Sequence, residues 1–224
     1  MLFFSESSEQ KLKKIVTWVR SLKINLPLNP DEIKNIVIAG AHHGHEINRL
    51  LSVYKNAHFH AFEAYPGHFE VLKSMYSANP DVSVYNIALT EENKTIPFYE
   101  VSIPGSGSIL KASEKQPVSI VDTVEVEGKR LDFFNLGHVN LLWCDVQGAE
   151  LMVLKGSNID EIDSLFLEIK TREYTDPKDK ELYQGGCYID ELEEYLKGKF
   201  TLHSIGLDNI NHNGTGNSFW TKNI

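Results

Sequence analysis

The sequence is poor in cysteine and has neither a long apolar run nor a cluster of basic residues. Its 224 residues include two cysteines, Cys144 and Cys187, which lie far apart and form no Cys-x-x-Cys pair. Neither a zinc ribbon nor a dithiol redox site can be built from them, so a reducing, cytoplasmic compartment is the simplest expectation. The first residues lack the basic region and the long apolar stretch of a signal peptide, and we expect no membrane span.

Basic residues are outnumbered by acidic ones. Lys and Arg total 22 and Asp and Glu total 31, so the net charge is −9 with histidine neutral. This charge repels a phosphate backbone, and the basic residues form no stripe that could offset it, so we expect no nucleic-acid partner. The 42% of hydrophobic residues is ordinary for a globular protein, and the length favours a single domain over residues 1–224.

The first 30 residues are predicted to form a helical extension of that domain. Apolar residues recur at helical spacing between positions 8 and 23, at Leu12, Ile15, Val16, Val19 and Leu22. Lysines and an arginine lie between them, which is typical of the solvated side of a packing helix.

Beyond residue 30, short apolar strands alternate with helical periodicity. A strand over 35–39 precedes the glycine turn 40–44, and strands over 58–63, 139–145 and 164–168 each end on an acidic residue. The pattern also predicts one strand over 82–89, strands over 95–101 and 117–127 with a flexible Gly105–Ser108 loop between them, and a closing hairpin of 200–205 and 217–221. Its connection is predicted to carry Gly206, Gly214 and Gly216.

This alternation predicts an α/β fold with a mostly parallel, doubly wound sheet and helices on both faces. In such sheets ligands bind at the carboxyl ends of the strands. The glycine turn, Glu63, Asp145 and Glu168 all follow predicted strands, so we expect them to meet at one edge of the sheet.

The glycine turn and Glu63 together indicate a nucleoside cofactor. Gly40 and Gly44 allow close approach of the backbone, and the following helix offers unpaired N–H groups. Glu63 follows Gly44 by 63 − 44 = 19 residues, at the end of the next strand, where a carboxylate can accept both hydroxyls of a ribose.

Five segments in order along the chain resemble the motifs of FkbM-type S-adenosylmethionine-dependent methyltransferases. They are GAHHG (40–44), FEAYP (62–66), NIAL (86–89), RLDFF (130–134) and DVQGAELMVLKG (145–156). The last is the most specific, and the similarity runs from about residue 35 to the C-terminus.

The resemblance implies a Rossmann-like class I methyltransferase with a seven-stranded sheet and a C-terminal antiparallel hairpin. It implies methylation of a hydroxyl on a sugar, polysaccharide or small metabolite, with S-adenosylmethionine as cofactor and a glycan or small molecule as acceptor. The residues implied to hold the cofactor are Gly40, Ala41, His42, Gly44, Glu63, Ala64, Ala88, Leu89 and Asp145.

Methyl transfer to an alcohol requires orientation and removal of the hydroxyl proton. Asp145 is the first candidate base, Glu168 is a second base or an acceptor anchor, and His43 in the glycine turn is a third. In a metal-assisted alternative, Asp145 and Glu168 bind Mg²⁺. Glu150 is a candidate cap for backbone N–H groups.

A zinc site at the histidines of the turn is disfavoured. Adjacent histidines are expected to point in different directions, and neither a Cys nor a second distant set of His occurs at ligand spacing. His68 is expected to be an ordinary surface or packing residue.

The chain departs from the family pattern at several positions. Ile38 stands where the family usually has an acid before the glycine turn, His42 where it has asparagine, Ala64 where it has proline, and Trp143 where it has lysine. Trp143 is expected to form a wall on the reaction side. Two other functions stay open: a binding module that has lost the cofactor, and a nicotinamide-dependent oxidoreductase. Prevalence alone suggests a homodimer.

Overall fold

The computed structural model describes residues 26–114, 118–172, 183–207 and 214–223. The helix predicted over 8–23 lies outside these ranges, and the single domain over 1–224 stays a prediction. Among the described residues, no helix is both long and apolar enough to span a bilayer.

Ten strands and four α-helices alternate along the described parts of the chain. The strands are β1 (Asn35–Ala39), β2 (His58–Phe62), β3 (Val82–Tyr85), β4 (Ala88–Leu89), β5 (Lys94–Val101), β6 (Ile120–Lys129), β7 (Val139–Cys144), β8 (Ile162–Lys170), β9 (Phe200–Leu207) and β10 (Thr215–Lys222). The helices are α1 (His45–Val53), α2 (Pro66–Tyr76), α3 (Glu150–Lys155) and α4 (Ile189–Leu196). Short 3₁₀ turns occur at Leu131–Phe134 and Ile159–Glu161.

Seven of the strands form one sheet in the order β3-β2-β1-β7-β8-β10-β9. The first five of these are mutually parallel, and β10 runs antiparallel to both β8 and β9. The predicted mostly parallel sheet with a C-terminal antiparallel hairpin is therefore confirmed. Gly206 and Gly216 were predicted to lie in the connection of the hairpin. They lie inside its strands instead. A Cβ on Gly216 would lie 2.1 Å from the carbonyl oxygen of Gly206, so the two strands need this glycine to approach.

The central strands are apolar on both faces because helices cover both. On β1, Val37 and Ala39 face one core with α3 and α4, whereas Ile36 and Ile38 face the other with α1 and α2. Burying one such large aliphatic side chain contributes roughly 1.5–3 kcal/mol, so the sheet is the main source of stability.

The helices begin where the sequence offers a reason for them to begin. Gly44 precedes α1 with φ 79°, a left-handed conformation that suits glycine. Pro66 opens α2, where its fixed φ fits the first helical turn and its missing N–H is not needed. The Tyr188 and Glu191 side chains cap α4 reciprocally.

The strand predicted over 82–89 is wrong in one respect: the structure divides it between two sheets. Tyr85 pairs with β2, whereas Ala88 pairs with Gly128 of β6 in a separate three-stranded sheet of order β4-β6-β5. Asn86 lies at the break and donates through Nδ2 to the carbonyl oxygens of Glu63 and Ala64, both at 2.9 Å. These side-chain bonds replace ladder pairing and turn the chain away from the large sheet.

The small sheet packs its apolar face against the end of β2. Ile96, Phe98 and Val126 form a cluster with Ala88, and Ala64 lies against it. The outer half of β6 is exposed, as its alternating sequence predicts. The small sheet therefore brings β5 over the carboxyl ends of the large sheet.

Gly40 directly follows β1, and the backbone of Asp145, just after the neighbouring strand β7, lies close to it. Its φ is 80°, and a Cβ there would lie 1.9 Å from the carbonyl oxygen of Asp145. Its N–H donates to the carbonyl oxygen of Phe62 at 3.0 Å. The missing side chain thus makes room for β7, not for a ligand.

We expect Gly40→Ala to destabilise the protein much more than Gly137→Ala. Gly137 also has positive φ, 72°, but no described atom lies within 4 Å of its Cβ position, so only backbone strain of about 1 kcal/mol applies. Gly40→Ala adds a backbone collision, which should cost at least about 2 kcal/mol more. Denaturant unfolding of both variants measures the difference. Equal losses of unfolding free energy would contradict the close approach of Gly40 to the backbone of Asp145.

Candidate active site

A cleft of about 570 Å³ opens at the carboxyl ends of β1, β2 and β7. It is lined by four groups of residues: the turn after β1, the end of β2 with the start of α2, the β4–β5 region with its following loop, and the loop after β7. They comprise Gly40, His42, Phe62, Glu63, Ala64, His68, Ile87, Ala88, Leu89, Phe98, Glu100, Gly105, Gly107, Ile109, Asp145, Val146, Gln147 and Ala149. The glycine turn, Glu63 and Asp145 therefore meet at one edge of the sheet as expected, whereas Glu168 is not part of this lining.

Glu63 is the buried carboxylate of this cleft, with only 4% of its surface exposed. Its Oε2 accepts the backbone N–H of His42 at 2.7 Å, and its Oε1 accepts the backbone N–H of Tyr65 at 2.8 Å. A carboxylate offers about four acceptor positions, so Oε2 keeps a lone pair for a further donor, whereas Oε1 also faces Nδ1 of His68 at 3.8 Å.

The residues of the glycine turn do not all face the cleft. Gly40 and His42 line it, but Ala41 is fully buried against α1. A Cβ on Gly44 would lie 2.8 Å from the hydroxyl of Tyr76, so this glycine makes room for α2. His43 is absent from the lining of the cleft.

Ala64, Ala88 and Leu89 line the far side of the cleft together with Ile87 and Phe98. Ala88 and Leu89 are buried in the body of the protein, and Phe98 comes from β5 of the small sheet. This side is therefore an apolar wall. Phe98 was not singled out in the sequence, because nothing local shows that β5 crosses above the large sheet.

Gln147 joins this cleft to a second one of about 400 Å³, which lies beside β8. Its Nε2 donates to Asp145 Oδ1 at 2.7 Å and to Glu168 Oε2 at 2.9 Å. The Tyr183 hydroxyl lies 2.8 Å from Gln147 Oε1. No role was predicted for Gln147 from the sequence. Its position between the strand-end Asp145 and Gly148 is the local sign that it belongs to the site.

The amide of Gln147 thus lies between the two acids proposed as Mg²⁺ ligands. Asp145 lines the first cleft and Glu168 the second, and one NH₂ group bridges them. Because both acids already accept hydrogen bonds from this amide, the arrangement does not favour Mg²⁺ there.

Burial raises the pKa of the Glu168 carboxyl well above its usual value, and the charges of Asp145 and Glu150 raise it further. This shift favours the protonated form of Glu168. A neutral carboxyl beside a second acid can donate a hydrogen bond, but it cannot take up a proton.

Glu150 caps backbone N–H groups of the turn after β7, as predicted from the sequence. It is 2% exposed, and its Oε1 accepts the N–H groups of Val146 at 3.0 Å and Gly148 at 3.2 Å. Burial raises its pKa to about 7, with a smaller contribution from the charge of Asp145, against backbone hydrogen bonds that lower it.

The rings of His42, His43 and His68 are in contact, and His68 lines the cleft. His68, expected to be an ordinary surface or packing residue, thus packs against two other rings and also lines the cleft. Burial, together with the charges of the neighbouring His68 and His43, lowers the pKa of His42 to about 4. The sequence sign that His68 lies at the cleft is its position five residues after Glu63, in the first turn of α2.

Trp143 does not form a wall of either cleft. It is 6% exposed in the core beneath α1, where its ring stacks on Phe166 at a centroid distance of 3.7 Å. The guanidinium of Arg49 lies 4.8 Å from its ring centroid. Trp143 lies two residues before Asp145, on the face of the sheet that α1 covers, so its ring does not reach the cleft. The expected role on the reaction side is wrong.

Comparison with known proteins agrees with this geometry. A protein of Sinorhizobium fredii, the 2-O-methyltransferase NoeI, is 27% identical over 214 residues, which cover 85% of this chain and 85% of that protein. The crystal structure of a methyltransferase FkbM from Methylobacillus flagellatus matches with a TM-score of 0.56 at 14% identity over 88% of this chain. This chain spans only 44% of that protein's length.

The fold is also that of fibrillarin from Aeropyrum pernix, whose crystal structure contains natively bound S-adenosyl-L-methionine. It matches with a TM-score of 0.53 at 12% identity, over 94% of this chain and 74% of that one. The sequence profile described as "Methyltransferase FkbM domain" matches residues 39–210, most of the chain. The protein therefore belongs to the FkbM methyltransferase family.

Proposed function

We propose that the protein transfers a methyl group from S-adenosylmethionine to a hydroxyl oxygen of a sugar or another small metabolite. The observation that carries this proposal is Glu63, a buried strand-end carboxylate with a free acceptor position in a cleft that also contains Asp145. The expected cytoplasmic location and homodimer stay predictions.

The residues of the first cleft fit an adenosine-containing cofactor. Glu63 has an acceptor position on Oε2 for a ribose hydroxyl, and the apolar wall of Ile87, Ala88 and Phe98 suits a purine. When bound, the cofactor supplies an electrophilic methyl group on a sulfonium.

The second cleft is our candidate site for the acceptor. Its lining includes the polar side chains of Gln147, Glu168, Lys170 and Tyr183, which can exchange hydrogen bonds with a molecule rich in hydroxyl groups. The name of the relative NoeI, a 2-O-methyltransferase, supports oxygen as the methylated atom.

Asp145 is the group best placed to accept the proton of the acceptor hydroxyl. It lines the first cleft, and Gln147 holds its Oδ1 oriented towards the second. Burial raises the pKa of Glu168, which favours its protonated form, so its proposed role is to donate a hydrogen bond to the acceptor or to anchor it. His43 lines neither cleft, so we assign no proton transfer to it.

A binding module without catalysis is the second candidate. It is favoured by Ile38, which is fully buried against α1 and cannot contact the cofactor's amino group. Calorimetric titration with S-adenosylmethionine and S-adenosylhomocysteine distinguishes the two functions. Micromolar binding supports the enzyme, and no binding supports the module.

We expect Glu63→Gln to weaken S-adenosylhomocysteine binding about 10- to 100-fold. The variant keeps the shape of the side chain but removes its charge, and a hydrogen bond to a charged group contributes about 1.5–3 kcal/mol. Glu70→Gln on the same helix–strand unit is the matched control, because Glu70 lies on the exposed face of α2. Unchanged affinity in Glu63→Gln, measured by calorimetry, would contradict the assignment of the ribose site.

Asp145→Asn and Glu168→Gln should differ in turnover. We expect Asp145→Asn to lower kcat about 10²- to 10⁴-fold while S-adenosylhomocysteine affinity changes little, because a general base is lost. Glu168→Gln resembles the protonated residue and should lower kcat less than about tenfold near pH 7. Acceptors found by screening glycans and metabolites provide the assay. An equal or larger loss in Glu168→Gln would move the base to Glu168.

Glu150 predicts a pH dependence of stability that is separate from catalysis. Its folded pKa of about 7 lies above the unfolded value of 4.5, so its contribution is complete below pH 4.5 and is lost as the pH rises through 7. We expect the free energy of unfolding of the native protein to fall relative to that of Glu150→Gln between these pH values. Denaturant unfolding at pH 5 and pH 8 measures this difference, and a constant difference would contradict it.

A further inference from the structure

Three histidines from two separate segments meet at the edge of the first cleft. The ring centroids of His42 and His43 are 4.0 Å apart, and those of His42 and His68 are 4.2 Å apart. The His43 and His68 centroids are separated by 4.6 Å. We call these three residues the histidine cluster. One ring nitrogen from each lies within 4.8 Å of those of the other two.

Two buried polar atoms beside this cluster have no hydrogen-bond partner among the described residues. They are Nε2 of His42 and Oε2 of Glu100. Glu100 is also close to the cluster through its other oxygen, which lies 3.9 Å from His68 Nε2. Buried polar atoms in native proteins are nearly always satisfied, so each of these atoms points to a missing partner. A cation bound by the three rings would satisfy Nε2 of His42.

The backbone around the cluster is held in place by Glu63. Its carboxylate accepts the N–H of His42, which has a left-handed φ of 45°. The same carboxylate lies 3.8 Å from Nδ1 of His68. Histidines that bind metals usually donate their second ring N–H to a carboxylate, which orients the ring. Glu63 is in the position of such a partner for His68.

We propose that His42, His43 and His68 form a binding site for a divalent transition-metal ion of the zinc type, with Glu100 as the fourth ligand. Three imidazoles and one carboxylate are a ligand set that Zn²⁺ accepts in tetrahedral geometry. The site shares no ligand with the Asp145 and Glu168 pair, and its existence does not depend on methyl transfer.

The spacing of the nitrogens is close to what such an ion requires. Zn–N bonds of about 2.0–2.1 Å at tetrahedral angles place two ligand nitrogens about 3.4 Å apart. The nitrogens of the cluster, within 4.8 Å of one another, must approach by no more than about 1.4 Å. Side-chain rotation of His43 and His68, which are only partly buried, can supply this movement.

The ion would lie in the wall of the cofactor cleft and not at its centre. His42, His68 and Glu100 line the cleft, whereas His43 approaches from outside it. The site therefore adjoins the proposed ribose position at Glu63 and is remote in function from the proton acceptor Asp145. A metal here would fix the turn after β1 to the start of α2.

The test is titration of the full chain, purified without a histidine tag and freed of metal with a chelator, with zinc chloride alone. We expect one Zn²⁺ per chain with micromolar or tighter affinity, measured by calorimetry. Cobalt chloride should give the intense visible absorption of a tetrahedral Co²⁺ site. No cofactor is added, so the result is independent of the proposed methyl transfer.

Substitutions in the cluster and beside it locate the bound ion. His43→Asn and His68→Asn should each weaken Zn²⁺ binding at least about tenfold and abolish the tetrahedral Co²⁺ band. Glu100→Gln should weaken binding less. His45→Asn is the matched control, because His45 is next to the cluster in sequence but is exposed at the start of α1.

Three results would overturn the proposal. They are absence of Zn²⁺ binding at millimolar concentration, unchanged binding in His43→Asn, or an equal loss in His45→Asn. Thermal unfolding of each variant without metal shows whether it is folded. His43→Asn decides the question if His68→Asn does not fold, since His43 lies outside the cleft lining.

Discussion

The Glu63 carboxylate connects the two loops that build the cofactor cleft. It closes the turn after β1 by accepting the His42 N–H and starts the segment leading to α2 by accepting the Tyr65 N–H. Hydrogen bonds to a buried carboxylate are charge-assisted and stronger than neutral ones. Because one side chain fixes both loops, the positions of His42, His68 and the apolar wall all depend on it. A carboxylate held in this way is also preorganised for a ligand, since its orientation is set before the ligand arrives.

On the other side of the cleft, Gln147 holds the acids together at the cost of backbone strain. Its φ is 57°, a left-handed conformation that costs a residue with a side chain about 1–2 kcal/mol. The hydroxyl of Ser108 donates to its carbonyl oxygen at 3.0 Å, and its side-chain amide bridges Asp145 and Glu168. Such strain persists only where surrounding bonds determine the conformation, and it is frequent at functional sites. The two bridged acids are also close enough for the charge of Asp145 to add to the burial that raises the pKa of Glu168.

The large sheet could be predicted from the sequence because each of its strands carries a local signal. Strands β1, β7 and β8 are apolar on both faces, and their ends are followed by a glycine turn or an acid. The small sheet could not be predicted, since the break at Asn86 depends on carbonyl groups of residues 63 and 64, more than twenty positions earlier. Pairing of Ala88 with Gly128 likewise joins segments forty residues apart. No periodicity within a strand reports such pairings.

The candidate site divides along the same line. Glu63 and Asp145 could be found because they follow strands directly, whereas Phe98 and Glu100 reach the cleft only through the small sheet. The histidine cluster adds a second reason for failure. Adjacent side chains normally diverge, and this underlay the expectation that His42 and His43 point apart. The left-handed backbone of His42 removes that divergence. The hydrogen bond from its N–H to Glu63 maintains this backbone conformation. The convergence of the histidines is thus a consequence of the same carboxylate that shapes the cofactor cleft, so the two sites are physically linked although their ligands differ.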